Sequence, residues 1–160
     1  MTAYKYAAAG AKLIISARSH DKLSAVKTAA LKHGASSVHI VPQDFSKVEE
    51  IASFRDRVLA IHPTIDILLL NHAGMPLGPW TSFPKQQTAE HALRTFNINV
   101  LSFIELTRLF LGELEASAGL IQVGAWFFFH RCSYSSAMLL SQPNIQYSYS
   151  FAKLLCRVAR

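Results

Sequence analysis

Residues 65–70 read I-D-I-L-L-L, a run that is apolar at all but one position and ends directly before Asn71. A strand with one solvated face alternates apolar and polar residues, whereas a strand covered on both faces is apolar almost throughout. The run therefore predicts a strand with helices packed on each side, an arrangement typical of a parallel sheet.

Three more short apolar runs, at residues 12–17, 38–42 and 119–123, predict the other strands of that sheet. Helical patterns lie between and after these runs, over residues 2–9, 19–34, 46–61 and 86–116 and from about 145 onwards. Strands that alternate with helices predict an α/β fold, a Rossmann-like parallel sheet with helices on both faces.

Several helices carry more specific predictions. Gly10 closes the first helix, Ser19 is a suitable N-cap for the second, and the S-x-x-E sequence at 46–49 is typical of a capping box that opens the third. Asn99 lies inside the long helix over 86–116. The residues of this helix that recur near helical spacing are mostly apolar: Leu93, Phe96, Val100, Phe103, Phe110 and Leu114, with Thr107 in the same series.

Polar residues follow the predicted strands at the point where each strand ends. Arg18, Asp44 and Asn71 come directly or almost directly after three of the strands, and Ser136 follows the fourth after a longer interval. Parallel sheets bind ligands at the carboxyl ends of their strands. The sequence therefore predicts a binding site at this edge.

Tyr149 and Lys153 are four residues apart in the last predicted helix. This spacing puts them on one helix face, where an ammonium can stabilise a phenolate whose unperturbed pKa is about 10. A phenol tuned in this way is suited to acid/base chemistry, and a nearby serine hydroxyl can hold a carbonyl or alcohol oxygen. A Tyr and a Lys at this spacing also occur in ordinary helix faces, so the pair by itself is a weak signal.

Composition narrows the classes of function. The chain has 160 residues, 51% of them hydrophobic, enough for one domain with a proper core. Its net charge of +6 comes from scattered Lys and Arg residues, which favours a solvated basic surface over nucleic-acid binding. The seven histidines lack metal-binding spacing, and no run approaches the roughly 18 apolar residues of a membrane span. We therefore expect no metal, no nucleic-acid partner, and a protein that is soluble and cytoplasmic or peripheral to the endoplasmic reticulum.

Five motifs, in order, resemble those of the short-chain dehydrogenases/reductases. They are G-A-K-L-I-I-S-A-R-S at 10–19, D-F-S at 44–46, L-N-H-A-G at 70–74, N-I-N-V-L-S at 97–102 and Y-S-F-A-K at 149–153. The N-H of the third motif and the N-V-L-S of the fourth are most similar to the 11-beta-hydroxysteroid dehydrogenase branch.

The resemblance implies a catalytic role for four residues. Tyr149 would pass a proton to or from the substrate oxygen, and Lys153 would lower its pKa and bond the nicotinamide ribose. Ser136 would hold the substrate oxygen, and Asn99 would keep a water molecule in the proton relay. The substrate would be a small-molecule alcohol or ketone, and the family's pairing through two helices implies a homodimer.

The resemblance also implies that the cofactor is NADP(H). Arg18 and Ser19 would meet its 2′-phosphate, because a guanidinium suits phosphate whereas a carboxylate there would select a free ribose hydroxyl. Asp44 would lie at the adenine. The full predicted cofactor set is Arg18, Ser19, Asp44, Phe45, Asn71, Ala73, Gly74, Tyr149 and Lys153.

Each of these roles has a plainer alternative. Arg18 can be an ordinary surface charge, Asp44 a turn residue before a helix, and Asn99 a satisfied polar group inside a helix. His72 is interpreted as structural rather than catalytic.

The chain also departs from the family. The family begins with a strand and a T-G-x-x-x-G-x-G turn, which this sequence lacks, and it continues well beyond Lys153. We therefore interpret residues 1–160 as one partial dinucleotide-binding domain, truncated at both ends. Without the first strand, the two halves of the sheet are expected to face each other across a gap about one strand wide, with unpaired backbone groups on both edges.

Residues 124–134, G-A-W-F-F-F-H-R-C-S-Y, match nothing in the family, and their removal restores its pattern. We interpret them as an insertion from a retained intron or a gene-model error; the alternative is a real loop with an exposed aromatic patch.

Two functions remain open at this stage. The first is NADP-dependent interconversion of a secondary alcohol and a ketone, with a steroid or other lipid-like substrate. The second is a catalytically inactive fragment or mis-spliced product that cannot bind cofactor.

Overall fold

A computed structural model describes residues 2–74, 84–123 and 153–157 of the chain. Its helices are α1 (Thr2–Ala8), α2 (His20–Lys32), α3 (Ile51–Ile61), α4 (Lys85–Phe96) and α5 (Ser102–Ala116). Its strands are β1 (Lys12–Ser16), β2 (Ser37–Ile40), β3 (Ile67–Leu70), β4 (Leu120–Val123) and β5 (Lys153–Arg157). The alternation of strands and helices through β4 confirms the α/β class.

The strands form one sheet in the order β2-β1-β5-β3-β4. Strand β1 pairs in parallel with β2, and β3 pairs in parallel with β4. The carboxyl ends of these four strands lie at one edge, because parallel strands run in the same direction. This edge is where the sequence predicts the binding site.

Helices cover both faces of the sheet, as the apolar run in β3 predicts. Leu68 and Leu70 belong to a core cluster with residues of α3 and α5, whereas Leu69 belongs to a second cluster with residues of α1 and α2. Strand β1 divides in the same way, with Ile14 in the first cluster and Leu13 in the second. Alternate side chains of one strand point to opposite faces, so a strand buried on both faces is apolar throughout.

The prediction of a helix over Lys153 is wrong. Residues Lys153–Arg157 form β5, which lies between β1 and β3 and is antiparallel to both. The expected gap in the sheet is therefore filled. The facing edges of β1 and β3 carry backbone N–H and C=O groups that are costly to leave unpaired inside a protein, and the L-L-C run at 154–156 supplies their partners.

The predicted capping box at Ser46 is also wrong. Helix α3 begins at Ile51, after a 3₁₀ turn over Val48–Glu50. The N–H and hydroxyl of Ser46 instead donate to Oδ1 of Asp44, at 3.0 and 2.8 Å. Asp side chains readily bond the backbone two residues onward, and this local turn holds the serine before a helix can use it.

The long predicted helix is interrupted by a π-helical segment over Asn97–Leu101, which separates α4 from α5. The predicted apolar face of this helix is buried in one part and exposed in another. Phe110 and Leu114 are buried against the sheet, whereas Leu93, Phe96 and Val100 are exposed. Among the described residues, no helix has both the length and the hydropathy needed to cross a membrane.

Candidate functional site

A cavity of about 140 Å³ lies at the carboxyl ends of β1 and β3, beside the loop that follows β2. Its walls are formed by Ser16, Ala17, Arg18, Gln43, Asp44, Phe45, Asn71, His72, Ala73 and Ile98. Parallel α/β sheets bind ligands at this position because the loops after their strands converge there.

Two buried polar groups in the cavity wall lack a partner. Ser16 is 3% exposed and Asn71 is 6% exposed, and neither the Ser16 hydroxyl nor the Asn71 Nδ2 makes a hydrogen bond within the described structure. Leaving a buried polar group unsatisfied costs about 1–3 kcal/mol. Such groups in a cavity wall are therefore well placed to bond a ligand.

Arg18 stands at the rim of the same cavity, two residues beyond the end of β1. Its side chain is exposed, and within the described residues it makes no ion pair or hydrogen bond. The next residue, Ser19, caps α2 by accepting a hydrogen bond from the Lys22 N–H at 3.4 Å. The cavity thus has a free cation at its mouth, close to the positive end of a 13-residue helix.

The carboxylate of Asp44 is held by two residues. Its Oδ1 accepts both hydrogen bonds from Ser46, and its Oδ2 accepts one from Nη2 of Arg94 in α4 at 2.8 Å. Partial burial raises the pKa of Asp44, but the bonds from Arg94 and Ser46 outweigh this effect, and the net pKa is lowered. The carboxylate is therefore ionised at neutral pH.

The ring of His72 lies between two aromatic rings, 4.8 Å from that of Phe45 and 4.4 Å from that of Phe103. Its Nε2 is 2.6 Å from the hydroxyl of Ser102 in α5. These contacts join the loop after β3 to α5, which agrees with the structural interpretation of this histidine.

The comparison with known families decides the identity of this arrangement. The family model described as short chain dehydrogenase matches residues 1–137. The chain belongs to the short-chain dehydrogenase family.

Several curated relatives of this chain are named after 11-beta-hydroxysteroid dehydrogenase, the branch that the third and fourth motifs resemble. The hydroxysteroid 11-beta-dehydrogenase 1-like protein of Xenopus tropicalis is 34% identical over 122 residues, which are 76% of this chain and 41% of that protein. The 11-beta-hydroxysteroid dehydrogenase-like 2 of Arabidopsis thaliana is 31% identical over 153 residues, 96% of this chain and 46% of that protein. The chain thus spans less than half the length of these relatives, and their names confirm the predicted branch.

Solved structures confirm the Rossmann-like fold. A metagenomic short-chain oxidoreductase in complex with NADP has a TM-score of 0.67 and 26% identity, covering 78% of this chain and 55% of that one. A Caenorhabditis elegans short-chain dehydrogenase/reductase of unknown function, solved with cofactor, has a TM-score of 0.66 and 26% identity, covering 78% of this chain and 46% of that one.

The dehydrogenase fold brings together most of the predicted cofactor residues. Five of them line the cavity, namely Arg18, Asp44, Phe45, Asn71 and Ala73. Ser19 and Gly74 are each adjacent to a cavity residue. The backbone of Lys153 pairs with that of Ser16, so Lys153 also lies at this edge of the sheet, although in a strand. Ser136, Tyr149 and the 124–134 segment lie outside the described residues.

Asn99 is not one of the residues that line the cavity, and its side chain bonds Gly74 instead. The Asn99 side-chain amide exchanges two hydrogen bonds with the Gly74 backbone, and Gly74 packs against Ile98. These contacts attach the π-helical segment to the loop after β3. Such segments are frequent at functional sites.

Sequence reasoning did not assign five of the wall residues to the site: Ser16, Ala17, Gln43, His72 and Ile98. Gln43 is 5% exposed; its Oε1 accepts from Arg57 at 2.6 Å, and its Nε2 donates to Glu50 at 3.0 Å. A signal existed for Ser16 and Gln43, since each polar side chain lies at or just after a strand end. Ile98 reaches the cavity because the π-helical segment packs on the loop after β3, which no local pattern indicates.

Proposed function

We propose that this chain forms the nucleotide-binding part of an NADP-dependent oxidoreductase that interconverts a secondary alcohol and a ketone. The observation that carries the proposal is the cavity at the carboxyl edge of the sheet, with two unpartnered buried polar groups in its wall and the free Arg18 guanidinium at its rim. This combination suits the adenosine half of a phosphorylated dinucleotide, which offers ribose hydroxyls and a base together with a phosphate.

The preference for NADP over NAD rests on Arg18. A carboxylate at the end of this strand would bond a free ribose 2′-hydroxyl, whereas a guanidinium pairs with a 2′-phosphate through charge-assisted hydrogen bonds. Asp44 lies farther along the cavity, and its charge is offset by Arg94. The metagenomic short-chain oxidoreductase, 26% identical, was solved in complex with NADP, which supports the same preference.

The catalytic residues are proposed from the family motif. Bound NADP(H) would supply or accept the hydride. The Tyr149 phenol would exchange a proton with the substrate oxygen, and Ser136 would hold that oxygen. Asn99 would contribute by holding the loop that follows β3, because its side-chain amide is used on Gly74.

The substrate class is proposed from the relatives alone. Several of them are named as hydroxysteroid dehydrogenase-like proteins, from both animals and a plant. We therefore expect a steroid or another lipid-like alcohol or ketone.

A homodimer is proposed from an apolar stripe on α4, the π-helical segment and α5. Its five members are large apolar residues with 37–61% of their surface exposed: Leu93, Phe96, Val100, Ile104 and Leu111. They recur at intervals of three, four and seven residues, which places them on one side of a helix. A second copy of the chain would bury this surface.

The test is a titration of the purified protein with NADPH and with NADH, followed by cofactor fluorescence. We expect saturable NADPH binding in the micromolar range. Arg18→Ala should raise the dissociation constant of NADPH roughly 10–100-fold, because one charge-assisted contact is lost. The dissociation constant of NADH should be nearly unchanged. Lys32→Ala, which removes an exposed cation from the far end of α2, is the control. Equal losses for both cofactors would refute the role of Arg18.

A second candidate is a non-catalytic chain that does not bind cofactor. It is favoured by β5, because an antiparallel strand occupies the middle of the sheet. This candidate predicts no change in fluorescence up to millimolar NADPH. It also predicts that Tyr149→Phe changes nothing, whereas the enzyme should lose turnover and keep its cofactor affinity.

A further inference from the structure

Arg94 and Asp44 form an ion pair across the edge of the cavity. The two residues are 50 positions apart in sequence, and their side chains are 44% and 26% exposed. Asp44 lines the cavity, whereas Arg94 approaches it only through Asp44. Ion pairs as exposed as this one contribute little to folding stability. The main effect of this ion pair is therefore on the orientation of the Asp44 carboxylate.

The hydrogen bonds leave that carboxylate with one unused acceptor position. Each carboxylate oxygen has two lone pairs. Oδ1 accepts the N–H and the hydroxyl of Ser46, so both of its lone pairs are used. Oδ2 accepts the single bond from Arg94 within the described structure, which leaves it one lone pair for a donor on a ligand.

The same end of α4 holds the turn that carries Asp44. Nδ2 of Asn97, three residues after Arg94, donates to the carbonyl oxygen of Ser46 at 3.1 Å. Helix and turn are thus joined at two neighbouring points, one to the side chain of Asp44 and one to the backbone of Ser46. The carboxylate is therefore fixed in direction before any ligand arrives.

We propose that Arg94 is a positioning residue for base recognition: it holds Asp44 so that the free lone pair of Oδ2 accepts a hydrogen bond from the exocyclic amino group of adenine. This inference rests on the proposed function, in which the cavity takes the adenosine half of a dinucleotide. A base with a keto oxygen at the same position, such as hypoxanthine, would place one lone pair against another and be rejected.

The experiment compares NADPH with its deamino analogue, in which hypoxanthine replaces adenine. Dissociation constants are measured by fluorescence for the unaltered protein and for Arg94→Ala, Arg94→Lys and Arg108→Ala. Arg108 is the matched control, because it pairs with Glu105 on α5 and that carboxylate is also 26% exposed. Thermal melting of each variant shows that the fold is kept.

We expect the unaltered protein to bind NADPH roughly 10–100-fold more tightly than the deamino analogue, the usual effect of one hydrogen bond to a charged group. Arg94→Ala should reduce this ratio to within about threefold, mainly because the variant binds NADPH less tightly. Arg94→Lys should restore part of the ratio, and Arg108→Ala should leave it unchanged.

Three outcomes would overturn the inference. If Arg94→Ala weakens both cofactors equally, Arg94 has only a structural role. If the unaltered protein binds both cofactors with equal affinity, Asp44 does not recognise the base, although the proposed function survives. If it binds neither cofactor up to millimolar concentration, the proposed function fails and the inference fails with it.

Discussion

Asn99 and Gly74 are joined by a pair of hydrogen bonds, although 25 positions separate them in sequence. Nδ2 of Asn99 donates to the Gly74 carbonyl oxygen at 2.7 Å, and the Gly74 N–H donates to Oδ1 of Asn99 at 3.0 Å. The side-chain amide of Asn99 therefore pairs with the Gly74 backbone through one donor and one acceptor, as a neighbouring β-strand would. Because Ala73 in the same loop lines the cavity, this pair fixes part of the cavity wall.

Replacing Asn99 with Asp should destabilise the protein. The carboxylate keeps the acceptor for the Gly74 N–H, but it loses the donor and places a second oxygen against the Gly74 carbonyl. We expect a loss of about 1–3 kcal/mol in the free energy of unfolding at neutral pH, measured by chemical denaturation. Gln87→Glu adds the same charge at an exposed site of α4 and should be nearly neutral. An equal loss in both variants would contradict the role of the pair.

Gly74→Ala should be destabilising for a steric reason. A Cβ at this position would lie 2.6 Å from Cδ1 and 3.2 Å from Cγ2 of Ile98. We expect a loss of about 1–3 kcal/mol, typical of overpacking. Ile98→Val removes Cδ1, so the double variant should recover part of the loss, which a double-mutant cycle measures.

Gly112→Ala is the control for that experiment. A Cβ at Gly112 meets no atom within 4 Å, and the residue lies inside α5. Because Ala favours a helix over Gly, this variant should gain up to about 1 kcal/mol. A loss at Gly112 as large as that at Gly74 would show that the close approach to Ile98 is not the cause.

Asp44→Asn should change how stability depends on pH. The folded-state pKa of Asp44 is lowered, so the charged form stabilises the fold above its unfolded pKa, near ~3.9, and this stabilisation is lost as the pH falls through the folded value. The variant should therefore melt below the unaltered protein at pH 7, and the difference should close in acid. Glu90→Gln, which removes an exposed carboxylate from α4, is the control variant.

Ile104→Lys should separate a dimer that uses the apolar stripe. Ile104 is 59% exposed and lies near the centre of the stripe, where a lysine ammonium would have to be buried in the interface. Sedimentation should show dimers for the unaltered protein and monomers for the variant. Gln87→Lys adds the same charge to α4 outside the stripe and should remain dimeric. A monomeric unaltered protein would refute the dimer.

Local pattern was sufficient for the order and type of the strands and helices of this chain up to β4, but not for the start of α3 or for the π-helical segment. Hydrophobic periodicity and residue type are properties of a few neighbouring positions. They therefore predicted that β3 is buried on both faces and that Ser19 is the N-cap of α2. The same information placed Arg18, Asp44 and Asn71 at one edge of the sheet, because parallel strands align their ends.

Tertiary structure alone decided three features. Residues 153–157 form a strand because it pairs the backbone groups of β1 and β3. The spacing of Tyr149 and Lys153 in the sequence contains no information about those distant backbone groups. Arg94 of α4 reached the Asp44 carboxylate from 50 positions away. Ile98 entered the cavity wall because the π-helical segment packs on the loop after β3. Such contacts depend on which groups of distant segments meet, and that is settled only when the chain is folded.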